Sequence, residues 1–479
     1  MAMKKLMIIT LSFVTASVQA QGVSLKDYLD SLQRHHPFFI KEGMSQAIEQ
    51  EQLRSFEGDE DWVVTASPSF AHNERSQSSS IVAEETDLLS LNAGVERLFW
   101  SNGSRVAVTY DYFHLNQRFS QPVGAFDEHG HGVTLSYSLP LLKNRGGILN
   151  RLNRDLQAYN VDLAEVVAAE NQEGFLEQRA FAFLDWVLLN EQLRIANNRL
   201  ALAEEELDRT ERKRRSRLVA EVDVLRARDA VITAQQQRQA IDARLLAMRA
   251  ELATDSGDVS LYEASPEFDL YAVQTVPSIE NILAELQQRS RLLKAIDVQL
   301  AQINRQQQGL DHQLKPELDL MLSGGLRSED GRFADSAELD KPQYSVGLNF
   351  RYPLGQRSAK ADVTRARLQR QQLSHERASI ALQLEAELRN VLVQLNKLEE
   401  VMRLNQEQIE VAQQKTAAEL RRHNQGRSEL TFVIQSRDNE QNARLIYAGN
   451  AANYQKLWLR YSSVTDALLL APTTSDMSQ

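Results

Sequence analysis

The sequence predicts an α+β fold in which amphipathic strands enter a membrane and long helices project from them. Three observations predict it: an internal repeat, strands that alternate between apolar and polar residues, and two helical stretches of about 65 residues almost without Gly or Pro. The 479 residues have a mean hydropathy of -0.42 and one long apolar run, at the N-terminus. That excludes a membrane protein built from several apolar helices.

Charge and cysteine content exclude several classes of function. The chain has 54 Lys+Arg against 65 Asp+Glu, a formal charge of -11 and no cysteine. An acidic chain disfavours nucleic acid as a partner, and the lack of cysteine excludes thiol catalysis and Cys-ligated zinc. The sequence also has no nucleophile elbow, P-loop, dinucleotide-binding glycine motif or His-Glu-x-x-His motif. We therefore expect no enzymatic activity and no cofactor.

The N-terminus has the pattern of a signal peptide. Lys4 and Lys5 precede an apolar stretch from Leu6 to Val14, and small residues allow cleavage after Ala20. Residues 1–20 are therefore predicted to direct export and to be removed.

An internal repeat organises the rest of the chain. Val23–Gln33 matches Pro277–Gln287 at a shift of 254 residues, and both segments have helical spacing of apolar residues. The repeat predicts a first half at 21–265, a second half at 266–472 and a short tail at 473–479.

The first half carries an insertion. Trp62–His72 matches Pro316–Leu326 at the same shift of 254, but Tyr137–Leu141 matches Phe350–Leu354 at a shift of 213. About 41 extra residues therefore lie between the two matching strands of the first half. Their alternating runs and tight turn predict an added hairpin at about 76–117.

The strands have one apolar and one polar side. Val133, Leu135, Tyr137 and Leu139 alternate with small or polar residues, as do Leu318, Leu320 and Leu322 in the second half. Aromatic residues are predicted near strand ends, where interfacial girdles lie. These residues are Trp62, Phe70, Tyr137, Tyr344 and Tyr352. A soluble antiparallel sheet with one wet face has the same alternation, so alternation alone does not distinguish the two.

Long polar segments separate the strands. Asn73–Asp87 and Gln117–Gly130 are predicted to be loops outside the membrane. On the other side of the membrane, short turns are predicted to join the strands. The second segment contains Asp127, Glu128 and His129, with His131 just beyond it. Such residue types can bind metal, but their spacing is weak and a solvated loop is the preferred interpretation, so no metal site is predicted.

Four or six strands cannot close a transmembrane barrel, so several chains must share one.

The helical stretches, Gly147–Arg215 and Ser358–His423, are each followed by a return helix. A helix of ~65 residues spans ~100 Å, which suits a coiled-coil shaft. The turns between the helices fall near Arg217 and Gly426.

Four features of the chain occur together: the signal peptide, the two repeats, the Pro-ended strands that enter long helices, and Gly426 leading into Phe432–Ser436. In these features the chain resembles the TolC family of outer-membrane efflux proteins. The resemblance covers about Leu25 to Leu470. It implies a homotrimer forming one β-barrel in the lipid of the Gram-negative outer membrane and one α-helical barrel across the periplasm. Partners would be a periplasmic adaptor and an inner-membrane pump, and the channel itself would be passive.

The resemblance also suggests functional residues at the two helix turns. The family's turn has Gly followed six residues later by Asp, whereas this chain has Arg217 with Asp223 and Gly426 with Phe432. Pore-narrowing positions would be occupied by Asp223, Arg226, Phe432 and Gln435. A basic, adaptor-contacting turn would include Arg212, Lys213, Arg421, Arg422 and Gly426. Solvated helix ends and ordinary helix packing are the simpler interpretations of these residues.

Several alternatives stay open from the sequence. Type I protein secretion uses the same architecture with a different pump, and a soluble periplasmic coiled-coil scaffold would also have long helices. The inserted hairpin makes eighteen strands in a trimer if it joins the barrel, and twelve if it packs outside. The exported substrate is not specified.

Overall fold

The computed structural model describes residues 22–75, 82–119 and 124–469. The predicted signal peptide (1–20) and tail (473–479) lie outside these residues, as do the first residues of the predicted insertion. Within the described residues, no helix is both long enough and apolar enough to cross a membrane.

The described chain contains nine α-helices and eight strands. The helices are α1 (Leu25–His35), α2 (Pro37–Glu57), α3 (Leu152–Arg215), α4 (Glu221–Ser256), α5 (Ile279–Arg289), α6 (Arg291–Gln313), α7 (Phe333–Ser336), α8 (Arg357–Asn424) and α9 (Leu430–Val464). The strands are β1 (Gly22–Ser24), β2 (Val63–Glu74), β3 (Glu85–Leu98), β4 (Arg105–Arg118), β5 (Ala125–Pro140), β6 (Ser265–Glu267), β7 (Glu317–Asp330) and β8 (Lys341–Arg351).

The long helices follow from composition. α3 and α8 have 64 and 68 residues and are rich in Ala, Leu, Gln, Glu and Arg, which lose little side-chain freedom in a helix. The short helix α1 starts at a side-chain cap: the Ser24 hydroxyl accepts the amide proton of Asp27 in the first turn.

The chain divides into two units. Of the described residues, the helical unit comprises 22–42, Ala169–Ser290 and 381–469, and the sheet unit comprises those within Gly43–Ala168 and Arg291–Ile380. Tyr28, Phe183 and Trp186 are fully buried in the helical unit, where the Phe183 ring lies 5.7 Å from Tyr28 and 5.4 Å from Trp186 between ring centroids. Burying each such side chain stabilises the fold by about 1.5–3 kcal/mol.

The sheet unit contains an open antiparallel sheet in the order β2-β3-β4-β5-β7-β8. β3 and β4 arise from the inserted segment, and they pair along their full lengths between β2 and β5. The insertion therefore extends the sheet and does not pack outside it. β2 and β8 form the two edges.

Two expectations about the strands are wrong. Residues 125–130 form the first part of β5, not a loop, because they pair with β4 from Arg118 to Phe113. β4 and β5 extend beyond their apolar alternating segments, and the extensions consist mostly of polar residues. The other predicted loop, Asn73–Asp87, is also shorter than expected, because Asn73 and Glu74 of β2 pair with Thr86 and Glu85 of β3.

The sheet has two unlike faces. Residues directly opposite one another on neighbouring strands share a face. One cross-strand row consists of Val64, Val95, Val108, Leu135, Gly324 and Tyr344. The adjacent row consists of Thr65, Gly94, Thr109, Thr134, Gly325 and Gln343. We call the faces that contain these rows the apolar face and the polar face. The predicted alternation is present across all six strands at these two rows.

Candidate functional site at the helix turns

The two turns between long helices adopt the same backbone conformation. α3 ends at Arg215 and α8 at Asn424, and both are followed by a left-handed residue, Arg217 with φ 58° and Gly426 with φ 71°. The following amides bond back to carbonyls five residues earlier, Leu218 to Lys213 and Arg427 to Arg422, both at 2.9 Å. This is the Schellman pattern, in which glycine is usual and arginine is not.

The structure brings the two turns together within the helical unit. Ala227 of α4 is buried with Leu430 and Val433 of α9, and Leu207, Leu420 and Ile434 pack around them. The Lys213 ammonium donates to the Asn424 side-chain oxygen at 3.3 Å. One apolar cluster therefore fixes both turns, and the residues predicted at each turn lie at the same end of the unit.

The arginines of the turns are exposed and are paired largely on their own helices, whereas Lys213 is half-buried. Arg212 contacts Asp208 at 2.8 Å, Arg214 contacts Glu221 at 2.7 Å, and Arg422 contacts Glu419 at 3.3 Å. Arg421 is also exposed. Such exposed pairs contribute about 0–1 kcal/mol each to stability, so these side chains can change partners at little cost.

The four predicted pore residues lie on the surface of this helix end. Asp223 and Arg226 pair one turn apart on α4 at 3.2 Å. Phe432 is 52% exposed, although its neighbour Val433 is fully buried, and Gln435 is exposed. Phe432 also borders a surface recess with Glu429. Within one chain Phe432 is therefore free to contact another molecule or narrow a channel.

Ion pairs that the sequence did not reveal tie α3 to α9 near the turns. Arg437 contacts Glu206 at 3.2 Å and donates to the Leu202 carbonyl at 2.8 Å. Arg199 contacts Asp438 at 2.6 Å. Glu206 is only 3% exposed. The partners are more than 230 residues apart in sequence, so no local spacing indicates the pairing.

A second polar cluster links α3, α8 and α9. The Tyr271 hydroxyl donates to Glu191 at 2.9 Å, and Arg194 binds the same carboxylate through two nitrogens. The Tyr447 ring stacks on Tyr271, and its hydroxyl accepts from Gln406 at 2.7 Å. Burial alone raises the pKa of Glu191, but the bonds from Arg194 and Tyr271 outweigh it and hold that pKa below its usual range. The ionised carboxylate therefore stabilises the fold at neutral pH, and this contribution is lost as the pH falls through the lowered pKa.

Comparison with known proteins identifies the fold. No protein-family model matches the chain, and no curated protein matches it significantly. Among solved structures, the outer membrane protein VceC from Vibrio cholerae matches with a TM-score of 0.65 and 13% identity, covering 92% of this chain and 95% of that one. The Campylobacter jejuni CmeC outer membrane channel matches with a TM-score of 0.66 and 13% identity, covering 98% and 95%. The Neisseria gonorrhoeae MtrE outer membrane channel in its open state matches at 0.62 and 13%, covering 93% and 89%.

These similarities extend over nearly the whole of both chains. The protein therefore has the fold of the TolC-like outer-membrane channels, with long helices joined to an antiparallel sheet. The fold predicted from the sequence is confirmed at this level.

Proposed function

We propose that this protein is the outer-membrane channel of a tripartite efflux system, a passive duct for cargo delivered by an inner-membrane pump through a periplasmic adaptor. The observation that carries the proposal is the exposed apolar face of the sheet. Val64, Leu135 and Tyr344 are 78%, 53% and 88% exposed on that face. Polar or small residues predominate on the other face. In water this exposure costs about 25 cal/mol per Å² of apolar surface. In a bilayer it is favourable, and the polar face then lines an aqueous lumen.

The edges of the sheet support a barrel shared between chains. Every residue of β2 and β8 is exposed, and both edges have 11 residues or more. Unpaired backbone groups in lipid cost several kcal/mol each, so both edges require a partner strand. Because the sheet has six antiparallel strands, β8 of one copy runs antiparallel to β2 of the next, and the pairing can continue around a closed ring.

The number of strands follows from the number of copies. A homotrimer, as the TolC-like fold suggests, combines three six-stranded sheets into an eighteen-stranded barrel. The position of β3 and β4 inside the sheet supports eighteen strands over twelve. The four long helices of each chain would form the periplasmic barrel, with residues 21–265 and 266–472 as two repeats and residues 1–20 as the export signal.

The helix turns would form the periplasmic end of the duct. We assign pore narrowing to Asp223, Arg226, Phe432 and Gln435, and adaptor contact to Arg212, Lys213, Arg421, Arg422 and Gly426. Support comes from the meeting of the two turns and from the exposure of their arginines and of Phe432. Basic side chains at this end would attract acidic groups of an adaptor.

Cross-linking between the edge strands tests the shared barrel. The chain has no cysteine, so introduced thiols react without background. A variant with Ser67→Cys in β2 and Ser345→Cys in β8 is treated in isolated outer membranes with a short bifunctional thiol reagent. We expect a ladder ending at three times the mass of the monomer without residues 1–20.

The matched control moves one thiol away from the edge. Ser67→Cys with Ser136→Cys places the second thiol in the middle of the sheet, where no neighbouring chain is expected, and should yield no ladder. A soluble periplasmic monomer, with no ladder in either variant, would instead favour the coiled-coil scaffold.

A further inference from the structure

A cluster of histidine and aspartate side chains lies on the sheet near the C-terminal end of β4 and the N-terminal end of β5. The register sets His114 opposite His129 and Asn116 opposite Asp127, so these side chains share the apolar face, beyond its apolar rows. The His114 Nε2 atom lies 2.6 Å from an Asp127 carboxylate oxygen. The imidazole rings of His114 and His129 stack with centroids 4.1 Å apart. The three side chains each present one nitrogen or oxygen atom within 4.8 Å of the others.

From this geometry we propose that His114, Asp127 and His129 bind a divalent transition-metal ion of the zinc class. Two imidazoles and one carboxylate are ligands that such ions prefer, whereas calcium and magnesium prefer sites made of oxygen alone. Water would complete the coordination. The ion would link the C-terminal end of β4 to the N-terminal end of β5, and would stabilise β4 of the inserted hairpin.

Neighbouring aromatic residues fix the orientation of the second histidine. The His129 Nδ1 atom shares a hydrogen bond with the Tyr112 hydroxyl at 3.0 Å, so the Nε2 atom is the one left for a ligand. The Phe333 ring meets the His129 ring edge-on, with centroids 5.8 Å apart. A hydrogen bond to the second nitrogen of a metal-binding imidazole is the usual way to fix its tautomer and orientation.

The other candidate ligands are less suitable. His131 bonds the Tyr110 hydroxyl at 2.6 Å and lies outside the cluster, and Glu128 lies on the polar face. A second group, His72 with Glu85 and Asp87, has a single imidazole and lies on β2 and β3. It provides an internal control, because it has similar residue types on the same face but one fewer nitrogen ligand.

Cobalt and zinc titrations of the purified protein test the proposal. The full chain is prepared in detergent with an affinity tag that contains no histidine, freed of metal with chelator, and titrated with Co²⁺ alone and then with Zn²⁺ alone. We expect one ion per chain, a visible Co²⁺ absorption band typical of nitrogen ligands, and displacement of Co²⁺ by Zn²⁺.

Variants assign the site. His114→Gln with His129→Gln should abolish the Co²⁺ band, Tyr112→Phe should weaken affinity at least about tenfold with unchanged stoichiometry, and His72→Gln should bind as the wild type does. Asp127→Asn preserves side-chain size and serves if the double variant does not assemble; it should also weaken affinity at least about tenfold. Absence of binding by the wild type, or equal loss on His72→Gln, would overturn the proposal. The titration requires no export activity, so its outcome is independent of the proposed channel function.

Discussion

The helical unit and the sheet place the same residue types in opposite positions. In the helical unit Leu176, Phe183 and Trp186 have no exposed surface. In the sheet Tyr344 and Val346 are 88% and 75% exposed, and the large apolar side chains concentrate on one face.

Under the proposed function, this difference reflects two solvents for one chain. The helical unit follows the rule for proteins in water, where apolar groups are withdrawn and buried charges are paired. The sheet reverses the rule on one face only, which is the arrangement of a barrel strand between lipid and an aqueous lumen. Adding a charge to the apolar face of the sheet should therefore destabilise the protein. In the helical unit, removing one partner of a buried ion pair should destabilise it.

The largest expected effect comes from a charge on the apolar face. Leu135→Arg should reduce the free energy of unfolding by about 2–4 kcal/mol, because arginine on the lipid side near the bilayer midplane costs that much. Thr134→Arg, one residue away on the polar face, is the matched control and should cost less than about 1 kcal/mol. The measurement is urea unfolding in lipid vesicles, with trimer yield in outer membranes as a second readout.

Equal costs for the two arginine variants would contradict a lipid-facing apolar surface. Such a result would mean that both faces of β5 meet the same solvent. The contrast between the units would then be one of packing and not of solvent.

A somewhat smaller effect is expected from an unpaired charge inside the helical unit. Arg437→Met leaves the buried Glu206 carboxylate with Arg209 at 3.8 Å as its remaining cation. We expect a loss of about 2 kcal/mol, less than the 3–5 kcal/mol typical of a fully buried pair, because of that residual contact. Adding Glu206→Leu should restore most of the loss, since replacing both partners by apolar residues is often neutral. Urea unfolding followed by the helical circular dichroism signal measures both steps. If the double variant is no more stable than Arg437→Met, the unpaired charge is not the cause.

The contrast between units also explains how much the sequence could predict. Apolar alternation in β5 and β8 and the long helices α3 and α8 depend on neighbours in the chain, so the elements and the fold were predictable. Contacts between distant segments were not. His114 reaches Asp127 only through the register of β4 and β5, and Glu206 reaches Arg437 only through helix packing. For this reason the sequence alone predicts a loop at Asp127 and His129.

The smallest effect distinguishes the two helix turns. Gly426 and Arg217 are both left-handed, and a Cβ added at Gly426 would meet no atom within 4 Å, so only the backbone conformation opposes a side chain there. Gly426→Ala should therefore cost about 1 kcal/mol, and Arg217→Gly should gain up to about 1 kcal/mol by relieving the same strain. The gain is limited because glycine also adds freedom to the unfolded chain. Arg217→Ala is the control, since it removes the charge and keeps the strain. If Arg217→Ala stabilises the protein as much as Arg217→Gly in urea unfolding, the cationic side chain opposes folding, and the conformation of the first turn costs nothing that glycine could relieve.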